Sequence, residues 1–335
     1  MTSWRLRSAR LFAAGAALLL VSACAVQDAP RPLPTSTATA VTPEELTIEA
    51  ADILEEHGLY SGGDWSAQRS ELLEAGRTAA DLEEAREAIA VAASSAGGVH
   101  TWYMSPSDRE QRYSDAPGLP PTVESTRGNT VTITVPAIGQ EGEAARTYAE
   151  VGSRGLTGRA TSETCGFIVD LRGNHGGNMY PMLGAVSPLL DQVEVASLVD
   201  RDGNVSAIAV TSSKVSAGDH PPLTYATPVV QFDLSGAGLP IAVLQDMETG
   251  SAAEMVLTAF RGQENVRTFG MQSAGRATGN DAWVLRDGSE LVLTTTNYAD
   301  RTGAIMPLPI PADVSTISDD AEEAAHDWIS ETCVE

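Results

Sequence analysis

Cysteine is scarce in this chain, and the scarcity excludes one kind of architecture. Cys24, Cys165 and Cys333 are its three cysteines in 335 residues, and no CxxC pair or Cys/His spacing of the zinc-site kind occurs, so no metal site is expected. Basic charge is also short: 21 Lys and Arg face 45 Asp and Glu, a formal net charge of −24 at pH 7. A surface that acidic repels nucleic acid and anionic lipid headgroups, so nucleic acid is not an expected partner. The apolar run from Leu11 to Val21 falls short of the roughly 20 residues a membrane-spanning helix needs. There is no nucleotide-binding signature, and no cofactor is expected.

What is present is ordinary globular composition, 42% apolar and 20% charged, enough for one large domain or two small ones. Arg5, Arg7 and Arg10 precede the Leu11–Val21 run, and Val21-Ser22-Ala23-Cys24 follows it, which reads as a secretory leader over residues 1–23. Small residues before a cysteine resemble the lipobox of bacterial lipoproteins, in which Cys24 is acylated and becomes the mature N-terminus. The alternative is ordinary cleavage nearby with Cys24 left as a free thiol. The expected location is the extracytoplasmic face of a bacterial membrane, lipid-anchored through Cys24, or otherwise secreted. In an exported protein Cys165 and Cys333 form an even pair that suggests a disulfide, with two buried thiols as the alternative.

Residues 24–42 are rich in Pro, Ala, Ser and Thr and bury too little to fold, so they read as a disordered tether. Residues 43–98 read as a small N-terminal helical subdomain. Its first helix has Thr42 as N-cap, Pro43 at the first helical position and Leu46, Ala50, Ile53 and Leu54 on one face. Further helices start near Trp65 and Ala79. After residue 98, strands and helices alternate: Val131–Val135, a helix from Glu141, a buried strand reaching Asp170, and a hairpin around Asp202-Gly203. Ile241–Leu244, a helix from Ser251 to about Arg261, Leu291–Thr296 and Ala321–Ile329 complete an α/β pattern over residues 99–335.

Two turns carry chemistry. Phe167-Ile-Val-Asp-Leu-Arg-Gly-Asn-His-Gly-Gly177 is a buried strand opening into a loop of bare amides, the kind of backbone that approaches a negative group closely. Gly250-Ser251-Ala252 stands where a buried strand meets a helix N-terminus, a place that suits a nucleophilic serine whose attack creates an oxyanion, and equally suits a plain N-cap. A nucleophilic serine needs a base. Of the five histidines, His57 and His326 fall on amphipathic helices as surface residues, His220 precedes Pro221-Pro222 in a loop, and His175 sits among glycines. His100 enters a strand after Gly97-Gly98. Asp170 with Arg172 reads as a supporting ion pair, and Glu254 as a first-turn helix charge.

Together, the Phe167–Gly177 stretch, Thr249-Gly-Ser-Ala-Ala-Glu254 and the later Phe269-Gly270 and Thr278-Gly279 resemble the C-terminal processing peptidases, also called tail-specific proteases, and their tricorn relatives. The likeness runs from about Asp64-Trp65 to about Asp313. It implies a crotonase-like peptidase core of stacked sheets with helices, acting on peptide or unfolded protein substrates. Where the Ser/Lys branch of that family has its lysine, 25 residues beyond the nucleophile, this chain has Arg276. Arginine's pKa is too high for a neutral base. The 69 residues between His100 and Asp170 leave no room for the PDZ domain of that branch.

The resemblance to the tricorn-like branch implies Ser251 as nucleophile and His100 as general base, in a Gly98-Val99-His100-Thr101 context that keeps only part of that branch's pattern. It also implies an oxyanion hole from Gly176, Gly177 and Ala252. The acidic motif near the C-terminus is not intact, and Asp300 is the candidate for orienting the histidine. Two other readings use the same fold: a catalytically lapsed member that binds a hydrophobic ligand or peptide at the cell surface, and a thioester-processing enzyme. Export and the missing nucleotide signature argue against the latter.

Overall fold

The computed structural model describes residues 41–62, 65–113, 118–226, 234 and 238–333. The expected leader, Cys24 and the tether up to residue 40 lie outside them. In chain order the helices and strands begin with α1 (Pro43–His57), α2 (Trp65–Thr78), α3 (Leu82–Gly97), β1 (Trp102–Met104), α4 (Pro106–Tyr113), β2 (Thr122–Thr126) and β3 (Thr130–Thr134). Then come α5 (Gly142–Arg159), β4 (Gly166–Asp170), α6 (Met179–Val186), β5 (Glu194–Asp200), β6 (Val205–Thr211), β7 (Lys214–Ala217) and β8 (Leu223–Thr224). The last are β9 (Ile241–Gln245), α7 (Ala252–Phe260), β10 (Val266–Gly270), β11 (Thr278–Val284), β12 (Glu290–Asp300), β13 (Val314–Ser315) and α8 (Ser318–Thr332).

The strands form two sheets. One has the order β13-β10-β9-β4-β3-β2, parallel except for the β2–β3 hairpin. The other has the order β1-β12-β5-β6-β7-β8, with β11 also on β12, and is antiparallel. In the parallel sheet the period of two divides the side chains between two cores. Phe167, Val169, Ile241 and Val243 face a core shared with α5, α6, α7 and the second sheet. Ile168, Ala242 and Leu244 face Ala321, Ala325 and Ile329 of α8. The β3, α5 and β4 sequence fits a parallel crossover, since β3 and β4 pair with Val131 beside Phe167.

The N-terminal helices start where the sequence places them. Thr42 accepts from the Glu45 amide at 3.2 Å while the Glu45 carboxylate takes the Thr42 amide at 3.0 Å, a capping box with Pro43 at the first helical position. The third helix begins later than expected, because the Asp81 carboxylate caps it through the Glu83 and Glu84 amides. Leu46, Leu54, Leu72 and Ile89 pack in one cluster with Leu291 and Leu293 of β12. These helices therefore share their core with the antiparallel sheet. The extended segment expected after Gly97-Gly98 is β1, with His100 in the short turn before it. Strands β2, β7, β8, β10, β11 and β13 and helix α4 go beyond what the sequence pattern resolves, several being two to five residues long, too short for a period to register.

At the C-terminus the Cys165 and Cys333 sulfurs are bonded, with the two Cα atoms 5.1 Å apart. The bond ties the end of α8 to the start of β4.

Candidate active site

Both turns of interest leave the same edge of the parallel sheet, because β4 and β9 are neighbours and run in the same direction. Asp170 and Arg172 close the first strand end: the guanidinium pairs with the Asp170 carboxylate at 2.7 Å and reaches Glu322 at 3.1 Å and the Ser318 carbonyl at 3.1 Å. This is a strut from the loop to α8. The glycine loop follows, with positive φ at Gly173 (70°), Gly176 (103°) and Gly177 (123°). Buried Asn174 organises it. Its side-chain amide donates to the Val135 carbonyl at 2.7 Å, its side-chain oxygen accepts the Gly176 amide at 2.9 Å, and its carbonyl accepts the Gly250 amide at 2.9 Å. The last bond joins the glycine loop to the serine turn.

The serine turn is built around Asp246, whose carboxylate takes the Gly173, Glu248 and Thr249 amides and the Thr249 hydroxyl. Ser251 then has φ 54° and ψ −117°, a conformation that a non-glycine residue rarely occupies and that surrounding contacts must hold. Its amide donates to Glu254 at 2.7 Å. Glu254 is fully buried and also receives the Ser273 hydroxyl at 2.5 Å, the Gly275 amide at 3.0 Å and the Arg276 amide at 2.9 Å. Burial pushes its pKa up against the pull of these donors. It is thus a brace between the serine turn and the segment 273–276, more than the helix-end charge read from sequence.

Near the Ser251 side chain stands Tyr298, whose buried phenol has its pKa raised by burial. His100 is 7% exposed, and its Nδ1 stands 2.7 Å from the Thr278 hydroxyl. Thr278 and Tyr298 are themselves neighbours: Thr278 lies opposite Asn297 in the β11–β12 pair, and the Tyr298 amide donates to the Ala277 carbonyl at 3.1 Å. His100 is thus held to β11, one strand away from Tyr298 on β12. Among the described residues no hydrogen bond joins the His100 ring to the Ser251 hydroxyl. Asn280 fixes the other side of His100, its side-chain amide donating to the His100 carbonyl at 2.8 Å. Burial, and then the charge of Arg276, lower the pKa of His100 to about 4.

Gly176 packs against the serine: a Cβ there would stand 2.7 Å from the Ser251 Cβ and from the Gly250 carbonyl. Its amide, however, is already given to Asn174. No acceptor is found for the Gly177 or Ala252 amide among the described residues. Asp300 is placed away from His100, with its carboxylate on the Thr302 amide and hydroxyl and on the Ala304 amide of its own turn. His100 has Thr278 as its side-chain partner instead. His175 is exposed, and His220 lies 3.9 Å from Asp281 at the surface. His326 differs from expectation, since it is buried under the C-terminal helix. Asn174, Thr278, Tyr298 and Asn280 were not singled out from sequence. Asn174 and Thr278 lie inside motifs of the sequence without showing a role there, while Tyr298 and Asn280, a hydroxyl and an amide in strands, give no pattern of their own.

A serine at a strained strand-to-helix turn, backed by a glycine loop and a buried neutral histidine, defines the class of site found in hydrolases that attack carbonyls. The sequence model of Peptidase family S41 matches residues 130–315, more than half of the chain, and the protein belongs to that family. It is similar to the nisin-resistance protein of Lactococcus lactis subsp. lactis, 29% identical over 290 residues covering 86% of this chain and 87% of that one. Among solved structures it resembles a lipoprotein from Streptococcus agalactiae (TM-score 0.72, 25% identity, 87% of this chain and 97% of that chain). The photosystem II D1 C-terminal processing protease shares the fold at a TM-score of 0.60 and 12% identity, over 88% and 99% of the two chains. The α/β fold is accordingly that of the S41 peptidases. Between His100 and β4 the chain is used by β1, α4, β2, β3 and α5, and no PDZ domain is evident among the described residues. As expected of the family, its substrate class is peptide or protein.

Proposed function

We propose that the protein is an exported serine endopeptidase of the tail-specific type, held at the outer face of a bacterial membrane by lipid on Cys24. Residues 1–23 serve as its leader, residues 24–42 as its tether, and residues 43–98 and 99–335 as helical and catalytic parts. One observation carries the reading: Ser251 is held at φ 54° at the start of α7 with Gly176 of the glycine loop pressed against its Cβ, the juxtaposition of nucleophile and bare amides that an oxyanion needs. In the reaction the Ser251 hydroxyl turns to His100 Nε2, which takes its proton as Oγ attacks the peptide carbonyl. The Gly177 and Ala252 amides hold the oxyanion, and Gly176 serves by allowing the loop to approach. His100 then gives its proton to the leaving amine. For this, Nδ1 must carry the ring's other proton, which it donates to Thr278. Catalytic hydrogen bonds are commonly open before substrate binds, so the separation of Ser251 from His100 fits a resting enzyme.

The likeness to a nisin-resistance protein makes nisin one substrate to offer, and the lipoprotein among the similar structures supports surface anchoring. Among the described residues no helix is long and apolar enough to cross a membrane. A fluorophosphonate probe tests the reading: it should label Ser251, with labelling lost in Ser251→Ala and His100→Ala. Because among the described residues no hydrogen bond joins Ser251 to the His100 ring, whose Nδ1 faces Thr278, the specific alternative is a lapsed enzyme that binds peptide or a hydrophobic ligand. A folded wild type that takes no label would establish that alternative.

A further inference from the structure

Arg276 is one of four described arginines, with Arg146, Arg159 and Arg267, that have no carboxylate partner, and of these it is the one beside Ser251 and His100. Most of the described arginines are paired with carboxylates, as an excess of 45 acids over 21 bases makes easy. Arg276 is exposed, and among the described residues no carboxylate lies within ion-pair distance of its guanidinium. Yet its backbone is among the most firmly held in the site. Its amide shares the Glu254 carboxylate with the Ser251 amide, at 2.9 Å and 2.7 Å, and its carbonyl accepts the Thr278 amide at 2.8 Å. The residue thus stands between the nucleophile's brace and the partner of the base, and its charge is felt by the His100 ring. Glu254, which holds its amide, is buried and spent on amides and a hydroxyl.

We infer that Arg276 is a specificity residue that binds a carboxylate of the peptide substrate close to the scissile bond. The inference rests on the peptidase reading of the same site. A guanidinium offers two parallel N–H donors that match a carboxylate, and its always-charged state holds at any pH the enzyme meets. The overall negative charge of the protein repels acidic peptides at a distance, so selection for a carboxylate has to be made locally. The carboxylate has two sources, an Asp or Glu side chain or the free C-terminus of the peptide.

The experiment uses one fluorescent peptide in matched forms: Asp against Asn beside the scissile bond, and C-terminal acid against C-terminal amide. Binding to the full-length Ser251→Ala protein is followed by anisotropy at pH 7.5, where His100 is neutral. One carboxylate form should bind about tenfold or more tightly than its neutral partner, equivalent to ~1.4 kcal/mol, and the form that does so identifies the source. Arg276→Ala in the same background should bring that ratio close to one while leaving the neutral peptide within about twofold, and Arg276→Lys should keep part of it. Equal binding of all forms to the parent, or equal loss of acidic and neutral peptides in Arg276→Ala, overturns the inference. Fluorophosphonate labelling of wild type separately decides the peptidase reading, so a labelled enzyme without carboxylate preference fails the inference alone.

Discussion

His100 is the residue whose environment makes the most definite demand on experiment. Its pKa of about 4 leaves the imidazole neutral, and therefore able to accept a proton, through most of the acid range. The acid limb of kcat/KM should centre near pH 4, well below the usual histidine value of about 6.5. A limb near 6.5 would show that the ring is solvated in the working enzyme. Stability carries the same signature with a fixed sign. Between the folded and unfolded pKa values the unfolded chain binds more protons, so the contribution of His100 to stability is complete above about pH 6.5 and is lost as pH falls toward about 4. Thr278→Val removes the 2.7 Å partner of Nδ1 and leaves a buried N–H unpaired, a loss of about 1–3 kcal/mol, or roughly tenfold to a hundredfold in kcat. Thr278→Ser should recover most of it. An unchanged kcat in the valine variant would remove Thr278 from the mechanism, and a similar loss of KM and kcat in all variants would point to misfolding.

At the scale of elements, the site is two strand ends locked to each other. The Asn174 carbonyl, the Asp246 carboxylate and Glu254 between them hold the glycine loop, the serine turn and the segment 273–276. Gly176→Ala would force a side chain into φ 103° and against the Ser251 Cβ. It should lower stability by about 1–3 kcal/mol and abolish probe labelling, both readable on one preparation by urea melts and gel fluorescence. Glu254→Gln should cost about 3 kcal/mol or more, because charge-assisted bonds to several amides weaken at once; melts unaffected by the change would mean the brace is dispensable. The sequence displayed the apolar strands, the glycine turn and the serine at a helix start, since each is local and periodic. Asn174, Thr278 and Tyr298 were hidden for the opposite reason. The importance of Asn174 and Thr278 lies in partners 39 and 178 residues away, and a single polar residue looks the same in sequence whether it serves a site or only fills a loop or a ladder. Asp300 illustrates the converse error of distance: it had the right chemistry, but its own turn claims its carboxylate.

For the whole molecule, the question is what keeps the outer face of the parallel sheet covered. Helix α8 does so with Ala321, Ala325 and Ile329 over Ile168, Leu244 and Phe269, and Arg172 reaches it from the edge of the active-site loop. To that packing the disulfide adds a covalent tie. Here the Cys165–Cys333 bond closes a loop with a sequence separation of 168, so it restrains the unfolded chain strongly and the terminus locally. Reduction, or the Cys165→Ala/Cys333→Ala double variant, should lower stability by about 2–5 kcal/mol, seen as a drop in Tm in the presence of reductant that the double variant no longer shows. Since Arg172 joins α8 to the glycine loop, loosening the helix should also slow probe labelling of Ser251 well below the unfolding temperature. If reduction lowers Tm but leaves labelling untouched, α8 stabilises the sheet without steadying the loop, and the Arg172 strut is structural alone.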